Sequence, residues 1–316
     1  MRALVVDSKL TFHSDYPDPS SVAGESIVRV SLAGICGTDI EITRGYMAYR
    51  GIPGHEFVGC VTDSSDSQLV GKRVVGEINA ACGRCWSCSI GLARHCPERT
   101  VLGILGRDGA FAEYLRLPTA NLLPVPDSIS DEAAVFTEPL AAAYDIFEQL
   151  RVRRNGAIAI LGDGRLGAMV ALAMKAENFT PILGGHHAEK LERLSSFGIK
   201  TCDERTLKEK FDYVVDCTGH GEGLRRAIEL VKPRGTIVLK STAAAGAALN
   251  LAPIVINEIT VIGSRCGRFA PALAARAAGK IDPRALIDGT YALEDGAEAI
   301  TAAQQSSNFK ILLKPS

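Results

Sequence analysis

The chain has 316 residues, of which 47% are hydrophobic and 22% are charged, and its formal net charge is −1. This length is enough for two domains with well-buried cores, and the near-neutral charge balance gives no support for nucleic acid or an anionic membrane as a partner. No segment offers the roughly eighteen uninterrupted apolar residues of a membrane span, and the N-terminus "MRALVVDSKL" is typical of a first strand rather than of a signal peptide. We therefore expect a cytoplasmic protein whose thiols stay reduced.

The first motifs along the chain carry side chains that bind metals. Cys36 lies in "GICGTDIEITRG", and His55, with Glu56 beside it, lies in "GIPGHEFVG". A catalytic zinc ion takes three protein ligands and keeps a fourth position open, and Cys36 and His55 can supply two of them. Glu138, in "FTEPLAAAYDIF", is a candidate for the third. Each residue alone is weak evidence, because an isolated Cys or His is more often structural.

Four thiols follow within fifteen residues, in the segment "CGRCWSCSIGLARHC", with the spacing C-x2-C-x2-C-x7-C. Reduced thiols at such short gaps converge on one soft metal ion, which favours a structural zinc site with no open position. An iron–sulfur cluster is an alternative, but its usual last gap is about three residues rather than seven. Unligated thiols are a second alternative, which the polar residues between the cysteines oppose. The proposed zinc ligands are Cys82, Cys85, Cys88 and Cys96.

A glycine-rich turn follows in "AIAILGDGRLGAMVALAMKA", where a strand-like run precedes G-x-G-x-x-G and a helical run follows it. This arrangement is typical of dinucleotide-binding sheets, in which the glycines give the tight turn, the approach to the pyrophosphate and the close packing of the helix. The alternation of apolar strands and helices after it predicts a doubly wound parallel sheet of the α/β class. The residues of this turn expected to contact the cofactor are Gly162, Asp163, Gly164, Arg165, Leu166 and Gly167.

The second strand of this region ends in "LGGHH" and bears on the choice of cofactor. An acidic residue at this point would bind the ribose 2′-hydroxyl of NAD, but Gly185 stands there. Without a carboxylate a 2′-phosphate is not repelled, and the imidazoles of His186 and His187 can donate to it when protonated. We therefore predict a preference for NADP over NAD. The alternative is that the two histidines form an exposed loop pair with no role.

Six motifs in order carry a family resemblance: "GICGTD", "GHEFVG", "CGRCWSCSIGLARHC", "GRDGAFAEY", "TEPLAAA" and "LGDGRLG". Together they make the chain similar to the zinc-containing medium-chain dehydrogenases, such as alcohol, sorbitol and threonine dehydrogenases. The likeness extends from the first strand to "KILLKP" near the C-terminus. It implies a GroES-like β-barrel catalytic domain at 1–140 and 264–316, with the cysteine lobe at 82–96. It also implies a Rossmann domain at 141–263 that binds the nicotinamide dinucleotide, with the active site in the cleft between the two domains.

The resemblance also implies roles for individual residues. Cys36, His55 and either Glu138 or Glu56 match the catalytic zinc ligands, and Glu56 matches a residue that moves on and off the metal in some members. Thr38 matches the hydroxyl that relays the substrate proton, and Asp39 matches the residue that supports the ligand histidine. Two departures leave the substrate open: Glu41 stands where threonine dehydrogenases carry His, and Gly37 stands where many alcohol dehydrogenases carry Arg or His.

The activity implied is hydride transfer between a primary or secondary alcohol, or its carbonyl, and NAD(P), with two zinc ions per chain. The resemblance further implies a homo-oligomer, a dimer or a tetramer, that acts on a small molecule. The alternatives are a zinc-free quinone or enoyl reductase of the same superfamily and a non-catalytic member. The zinc-free reductases lack both sets of cysteines, so Cys36 and Cys82 oppose the first alternative. The set Cys36, Thr38, His55 and Glu138 opposes the second, because a site without activity has no physical need for ligands of those types.

Overall fold

A computed structural model describes residues 1–240 and 249–315 of the chain. The chain separates into two compact units, the first formed by Met1–Glu138 with Phe269–Ser316 and the second by Pro139–Arg268. The expected domain ranges, 1–140 with 264–316 and 141–263, remain a prediction, and they include residues 241–248 and 316, which lie outside the described residues. Among the described helices, none has both the length and the apolar character needed to cross a membrane.

The strands are short and lie along the whole chain. In chain order they are β1 (Ala3–Val6), β2 (Leu10–His13), β3 (Glu25–Gly34), β4 (Glu56–Ser64), β5 (Arg73–Gly76), β6 (Asn79–Ala80), β7 (Thr100–Val101), β8 (Tyr114–Pro118), β9 (Leu122–Pro124), β10 (Ile158–Leu161), β11 (Ile182–Gly185), β12 (Lys200–Asp203), β13 (Phe211–Asp216), β14 (Val231–Leu239), β15 (Thr260–Gly263), β16 (Ile287–Ala292) and β17 (Lys310–Lys314).

The longer helices concentrate in the second half of the chain. The α-helices are α1 (Gly37–Thr43), α2 (Trp86–Ser89), α3 (Asp131–Ala134), α4 (Thr137–Gln149), α5 (Arg165–Ala176), α6 (Ala188–Ser196), α7 (Gly221–Leu230), α8 (Ala252–Ile256), α9 (Phe269–Ala277) and α10 (Gly296–Gln304). Single 3₁₀ turns occupy Tyr46–Ala48, Ala93–His95, Thr119–Asn121, Glu204–Thr206, Arg284–Leu286 and Leu293–Asp295.

The first unit is organised around a mostly antiparallel sheet with the strand order β16-β17-β3-β4-β5-β9, in which β8 also pairs with β3. Strand β3 shows why the sheet forms, because its alternate residues Val28, Val30 and Leu32 are buried while Arg29 between them is exposed. This period of two is what a sheet with one face on a core requires. The register pairs Gly34 with Glu56 across β3 and β4 and Gly34 with Leu312 across β3 and β17. The ends of these three strands therefore meet.

The second unit contains a parallel sheet with the strand order β12-β11-β10-β13-β14-β15. Its central strand β10 is buried at all four positions, as expected for a parallel strand covered on both faces. Apolar side chains such as Leu161, Val214 and Ile237 form its core. The order reverses between β10 and β13, and in open sheets of this kind ligands bind outside the carboxyl ends of the strands at such a point. The predicted parallel sheet is confirmed, although β12 was not among the strands expected from the sequence.

Candidate functional site

The ends of β3 and β4 bring three metal-binding side chains together in the first unit. Cys36 follows β3 and precedes the first turn of α1, whereas His55 directly precedes β4 and Glu56 begins it. One ligand atom from each of these residues lies within 4.8 Å of those from the other two. His55 and Glu56 are buried, and Cys36 is half-buried. A thiolate, an imidazole and a carboxylate form the donor set of an open zinc site, so the residues fit that ion.

Asp39 connects this group to the backbone around it. It is fully buried at 0% exposure, and its Oδ2 accepts a hydrogen bond from the Cys36 N–H at 2.8 Å. Its Oδ1 accepts from the Gly54 N–H at 3.1 Å and lies 3.3 Å from Nδ1 of His55. Burial alone would lower the pKa of His55, but Asp39 and Cys36 outweigh it and raise the pKa well above its usual value. Asp39 thus lies where a carboxylate can orient the imidazole, as partners of metal-binding histidines do.

Thr38 lies beside the same group, and its Oγ1 is 3.9 Å from Sγ of Cys36. It is half-buried in the first turn of α1, so its hydroxyl is not sealed within the core. The structure therefore brings together Cys36, Thr38, Asp39, His55 and Glu56, and their roles stay a prediction.

The two candidates for the third ligand differ in their placement. Glu56 belongs to the group with Cys36 and His55, whereas Glu138 belongs to neither potential metal-binding group found among the described residues. Glu138 is half-buried in the first turn of α4. The geometry within the first unit therefore favours Glu56 as the carboxylate that joins the sulfur and the imidazole.

Glu56 has a buried partner that the sequence did not reveal. Nζ of Lys310, in β17, forms an ion pair with Glu56 Oε2, and the two side chains are 3% and 1% exposed. The same ammonium group lies 5.6 Å from the centre of the Phe136 ring. A charged residue inside the apolar run "FKILL" was the available signal, because a lysine at a buried strand position needs a partner.

The four cysteines of the lobe also converge. Their sulfur atoms all lie within 4.8 Å of one another, with Cys85 Sγ 3.5 Å from Cys88 Sγ and 3.7 Å from Cys96 Sγ. All four are free thiols, and only Cys96 is buried. Backbone N–H groups of Arg84 and Cys85 help to lower the pKa of Cys82 to about 7, which favours the thiolate that binds metal. The geometry and the ligand set fit a closed structural zinc site.

The glycine-rich turn lies where a dinucleotide site is expected in the second unit. Gly162 follows β10 with φ of +103°, a conformation that favours glycine, and Gly164 caps the N-terminus of α5. A β-carbon on Gly167 would overlap the carbonyl oxygen of Gly162, which explains the glycine there. The turn Gly162–Gly167 thus begins at the carboxyl edge of β10, beside the point where the strand order reverses. Free N–H groups at the start of a helix suit a pyrophosphate.

The sequence predicted that the end of β11 would lack a carboxylate and could accept a 2′-phosphate. The structure instead places carboxylates next to both histidines at this strand end. Asp163 Oδ2 accepts hydrogen bonds from the N–H groups of His186 and His187 at 2.7 Å each, and Asp163 Oδ1 lies 3.0 Å from Nδ1 of His187. Nε2 of His186 lies 3.5 Å from Oε2 of Glu204. Both imidazoles expected at a 2′-phosphate therefore face carboxylates.

Two protein families match separate parts of the chain. Residues 22–127 match the family described as the alcohol dehydrogenase GroES-like domain, and residues 164–278 match the zinc-binding dehydrogenase family. The chain is 30% identical to the starvation-sensing protein RspB of Escherichia coli strain K12, over 95% of this chain and 94% of that protein. It is 27% identical to a sorbitol dehydrogenase of Halalkalibacterium halodurans, over 100% of this chain and 99% of that protein.

A solved structure supports the same relationship. The structure of RspB from Escherichia coli CFT073, described as an alcohol dehydrogenase complexed with the cofactor NADH, matches with a TM-score of 0.91 at 28% identity. The match covers 99% of each chain. The predicted fold class, a GroES-like domain combined with a Rossmann-type parallel sheet, is confirmed.

Proposed function

Because the chain belongs to the zinc-containing medium-chain dehydrogenase/reductase superfamily, we propose that its first unit holds a catalytic zinc ion on Cys36, His55 and Glu56. The chain is a zinc-type alcohol or polyol dehydrogenase that uses a nicotinamide cofactor. The observation that carries the proposal is the convergence of a thiol, an imidazole and a carboxylate within 4.8 Å. The four cysteines of the lobe hold the second, structural zinc ion.

The residues of the chain around the catalytic ion have separate tasks. A bound zinc ion supplies Lewis acidity that lowers the pKa of a substrate hydroxyl, and the nicotinamide accepts the hydride. Thr38, beside Cys36, receives the hydroxyl proton and passes it on. Asp39 fixes the ring of His55 and so the position of one ligand. These side chains are held in place by strand ends and backbone hydrogen bonds, so little reorganisation is needed when the substrate binds.

Glu56 is the third ligand in this proposal, in preference to Glu138. Its carboxylate already lies within 4.8 Å of the ligand atoms of Cys36 and His55, and Lys310 forms an ion pair with it. The lysine also gives Glu56 an alternative partner, because the carboxylate can pair with the ammonium or with the metal. This agrees with the expectation that Glu56 can move on and off the ion. Glu138 as the third ligand remains the alternative prediction.

A polyol is the proposed substrate class. The sorbitol dehydrogenase of Halalkalibacterium halodurans matches 100% of this chain, and this match supports a polyol rather than a simple short alcohol as the substrate. The segment Tyr46–Ala48 is the proposed wall of the substrate pocket. Met47 and Ala48 adopt positive φ, and the side chains of Tyr46 and Met47 are exposed. Such loops, rather than the metal ligands, decide which polyol fits.

The assembly is proposed to be a homo-oligomer. Strand β15 is the outer strand of its sheet in the described residues, and Val261 on it is exposed. In the neighbouring helix α8, Val255 and Ile256 are 76% and 77% exposed. An apolar open edge of this kind supports pairing with a second copy. Light scattering should give at least twice the chain mass, and Ile256→Asp should lower it.

The cofactor preference predicted from the sequence was NADP, and it depends on the lack of a carboxylate at Gly185. That premise changes because the carboxylate of Asp163 lies beside this position. The preference for NADP stays a prediction, as does the cytoplasmic location.

Zinc content and turnover together test the proposal. The folded wild-type protein should contain about two zinc ions per chain and oxidise polyols in a panel of polyols, aldoses and short alcohols, followed by the absorbance of the reduced nicotinamide. Cys36→Ser should lose one zinc ion and the turnover. One zinc ion or none in unstripped wild-type protein would overturn the catalytic site and would instead favour a zinc-free or non-catalytic member.

A further inference from the structure

The carboxyl end of β11 is the position where dinucleotide-binding sheets of this type distinguish NAD from NADP, usually through an acidic side chain. In this chain that position is Gly185, which has no side chain. A β-carbon built on Gly185 would come within 2.5 Å of Cγ of Asp163, far closer than real contacts allow. The carboxylate of Asp163, from the glycine-rich turn, therefore fills the space that a strand-end side chain would take.

We infer that Asp163 replaces the strand-end acidic residue in cofactor selection, binding the ribose hydroxyls of NAD and repelling the 2′-phosphate of NADP. The inference rests on the proposed function, in which the second unit binds a nicotinamide dinucleotide. It assigns the choice of cofactor to a residue of the phosphate-binding turn rather than to the end of the second strand. It opposes the preference for NADP that the missing carboxylate at Gly185 suggested.

The hydrogen bonds of Asp163 leave it able to accept one more. A carboxylate has about four acceptor positions. Oδ2 accepts from the N–H groups of His186 and His187, and Nδ1 of His187 is shared between Oδ1 at 3.0 Å and Oδ2 at 3.2 Å. Asp163 is 6% exposed, and Oδ1, which accepts only from His187, is the oxygen that we assign to a ribose hydroxyl. Burial alone would raise the pKa of Asp163, but hydrogen bonds from His187 and His186 outweigh it and lower the pKa. The group is therefore ionised at neutral pH.

The two histidines do not form a free cationic pocket for a phosphate. His187 is turned towards Asp163, with 3.0 Å between Nδ1 and Oδ1, and His186 faces Glu204 across 3.5 Å. A 2′-phosphate at this edge would have to displace these pairs and lie beside the charge of Asp163. Like charges at close range are costly in a partly buried site, so the second phosphate is rejected.

Equilibrium binding of NADH and NADPH to the whole zinc-loaded chain tests the inference. Nicotinamide fluorescence and calorimetry measure the two dissociation constants. Wild-type protein should bind NADH at least about tenfold more tightly than NADPH. This ratio corresponds to the lower end of the free energy of a hydrogen bond to a charged group. Asp163→Asn should bring the two affinities within about threefold, because it removes the charge and keeps the shape. Asp203→Asn is the matched control, since Asp203 ends the adjacent strand β12 and pairs with Arg205, and it should leave the ratio unchanged.

A positional exchange makes the test sharper. Gly185→Asp alone places two carboxylates in one space and should weaken the binding of both dinucleotides. The double variant Asp163→Gly with Gly185→Asp returns the acid to the strand end and should recover the preference for NADH. Circular dichroism and the thermal midpoint establish that each variant is folded.

The outcomes separate this inference from the proposed function. NADPH binding as tight as NADH in wild-type protein, or an unchanged ratio in folded Asp163→Asn, would overturn the role of Asp163 alone. Binding of neither dinucleotide would overturn the proposed function itself. If Asp163→Asn does not fold, competition by ADP-ribose and 2′-phospho-ADP-ribose against NADH in wild-type protein decides, and equal competition would overturn the inference.

Discussion

The cysteine lobe and the group formed by Cys36, His55 and Glu56 both belong to the first unit, but they are held by different parts of the fold. The lobe gathers its four sulfurs within fifteen residues, around the single turn of helix α2 and two glycines with positive φ, and only Cys96 is buried. The other group is positioned by the register of β3 on β4 and by an ion pair with Lys310, which lies 254 residues away from Glu56.

From this difference we expect the two proposed metal ions to have different roles. The lobe has few buried side chains of its own, so its ordering depends on the ion that joins the sulfurs. The proposed catalytic group is held by the sheet and by buried hydrogen bonds, so we expect its ligands to stay in place without the ion. In the proposed assignment the ion of the lobe therefore contributes to stability, and the ion on Cys36, His55 and Glu56 contributes to chemistry.

Removing the sulfur ligand from the sheet-held group is expected to have the largest effect. Cys36→Ser should reduce turnover by at least about a thousandfold, because several kcal/mol of Lewis-acid stabilisation are lost, while the thermal midpoint stays close to that of the wild type. Steady-state rates and circular dichroism melting measure the two quantities. Near-normal rates in a folded Cys36→Ser protein would refute the assignment of this group to catalysis.

Breaking the buried ion pair tests whether Glu56 faces the metal. Lys310→Met leaves the carboxylate buried without its cation, which should cost about 3 kcal/mol in the free energy of unfolding of chelator-treated protein. The cost should be smaller in zinc-loaded protein, because the ion provides a second partner for Glu56. Urea unfolding with and without zinc measures both values. Lys314→Met, at an exposed position of the same strand, is the control and should change stability by about 0.5 kcal/mol or less.

An equal loss of stability with and without zinc would indicate that Glu56 does not exchange between lysine and metal. In that case Glu138 would become the stronger candidate for the third ligand.

Removing a ligand from the lobe should affect stability more than chemistry. Cys82→Ser should lower the zinc content from about two ions to about one and reduce the free energy of unfolding by about 2 kcal/mol. Turnover per folded chain should stay within about threefold of the wild type. Cys60→Ser, a thiol outside both clusters, should keep both ions. A Cys82→Ser protein with full stability and two zinc ions would show that the lobe is ordered without metal.

An effect smaller than the loss of Cys36 is expected at the residue that supports the ligand histidine. Asp39→Asn keeps the shape but weakens the acceptor for Cys36 N–H, Gly54 N–H and the His55 ring. Zinc affinity or kcat/KM should fall about 10- to 100-fold, the range seen for partners of metal ligands. Metal competition with a chromophoric chelator and steady-state kinetics provide the two readouts. Glu41→Gln, on the same helix but exposed and paired with Arg44, should leave both unchanged.

Much of the architecture was available from local patterns. The strand before Gly162 and the helix after it occur as β10 and α5, and the alternation that follows forms the parallel sheet. Short-range geometry explains this, since an apolar run, a glycine turn and a helical period each specify their own conformation within a few residues. The four-cysteine spacing predicted a local cluster for the same reason. Strand β12, with its half-buried and exposed residues "KTCD", lacked the apolar signal and was missed.

The sequence by itself determined the fold class and the family and indicated candidate residues for a metal and a dinucleotide, because these depend on spacings within single turns, strands and helices. Only the tertiary structure decided that Glu56 rather than Glu138 joins Cys36 and His55, that Lys310 pairs with Glu56, and that Asp163 fills the space beside Gly185. The physical reason is that these contacts join residues from different elements. Strand register and the packing of strand ends create them, and neither is encoded in the spacing along the chain.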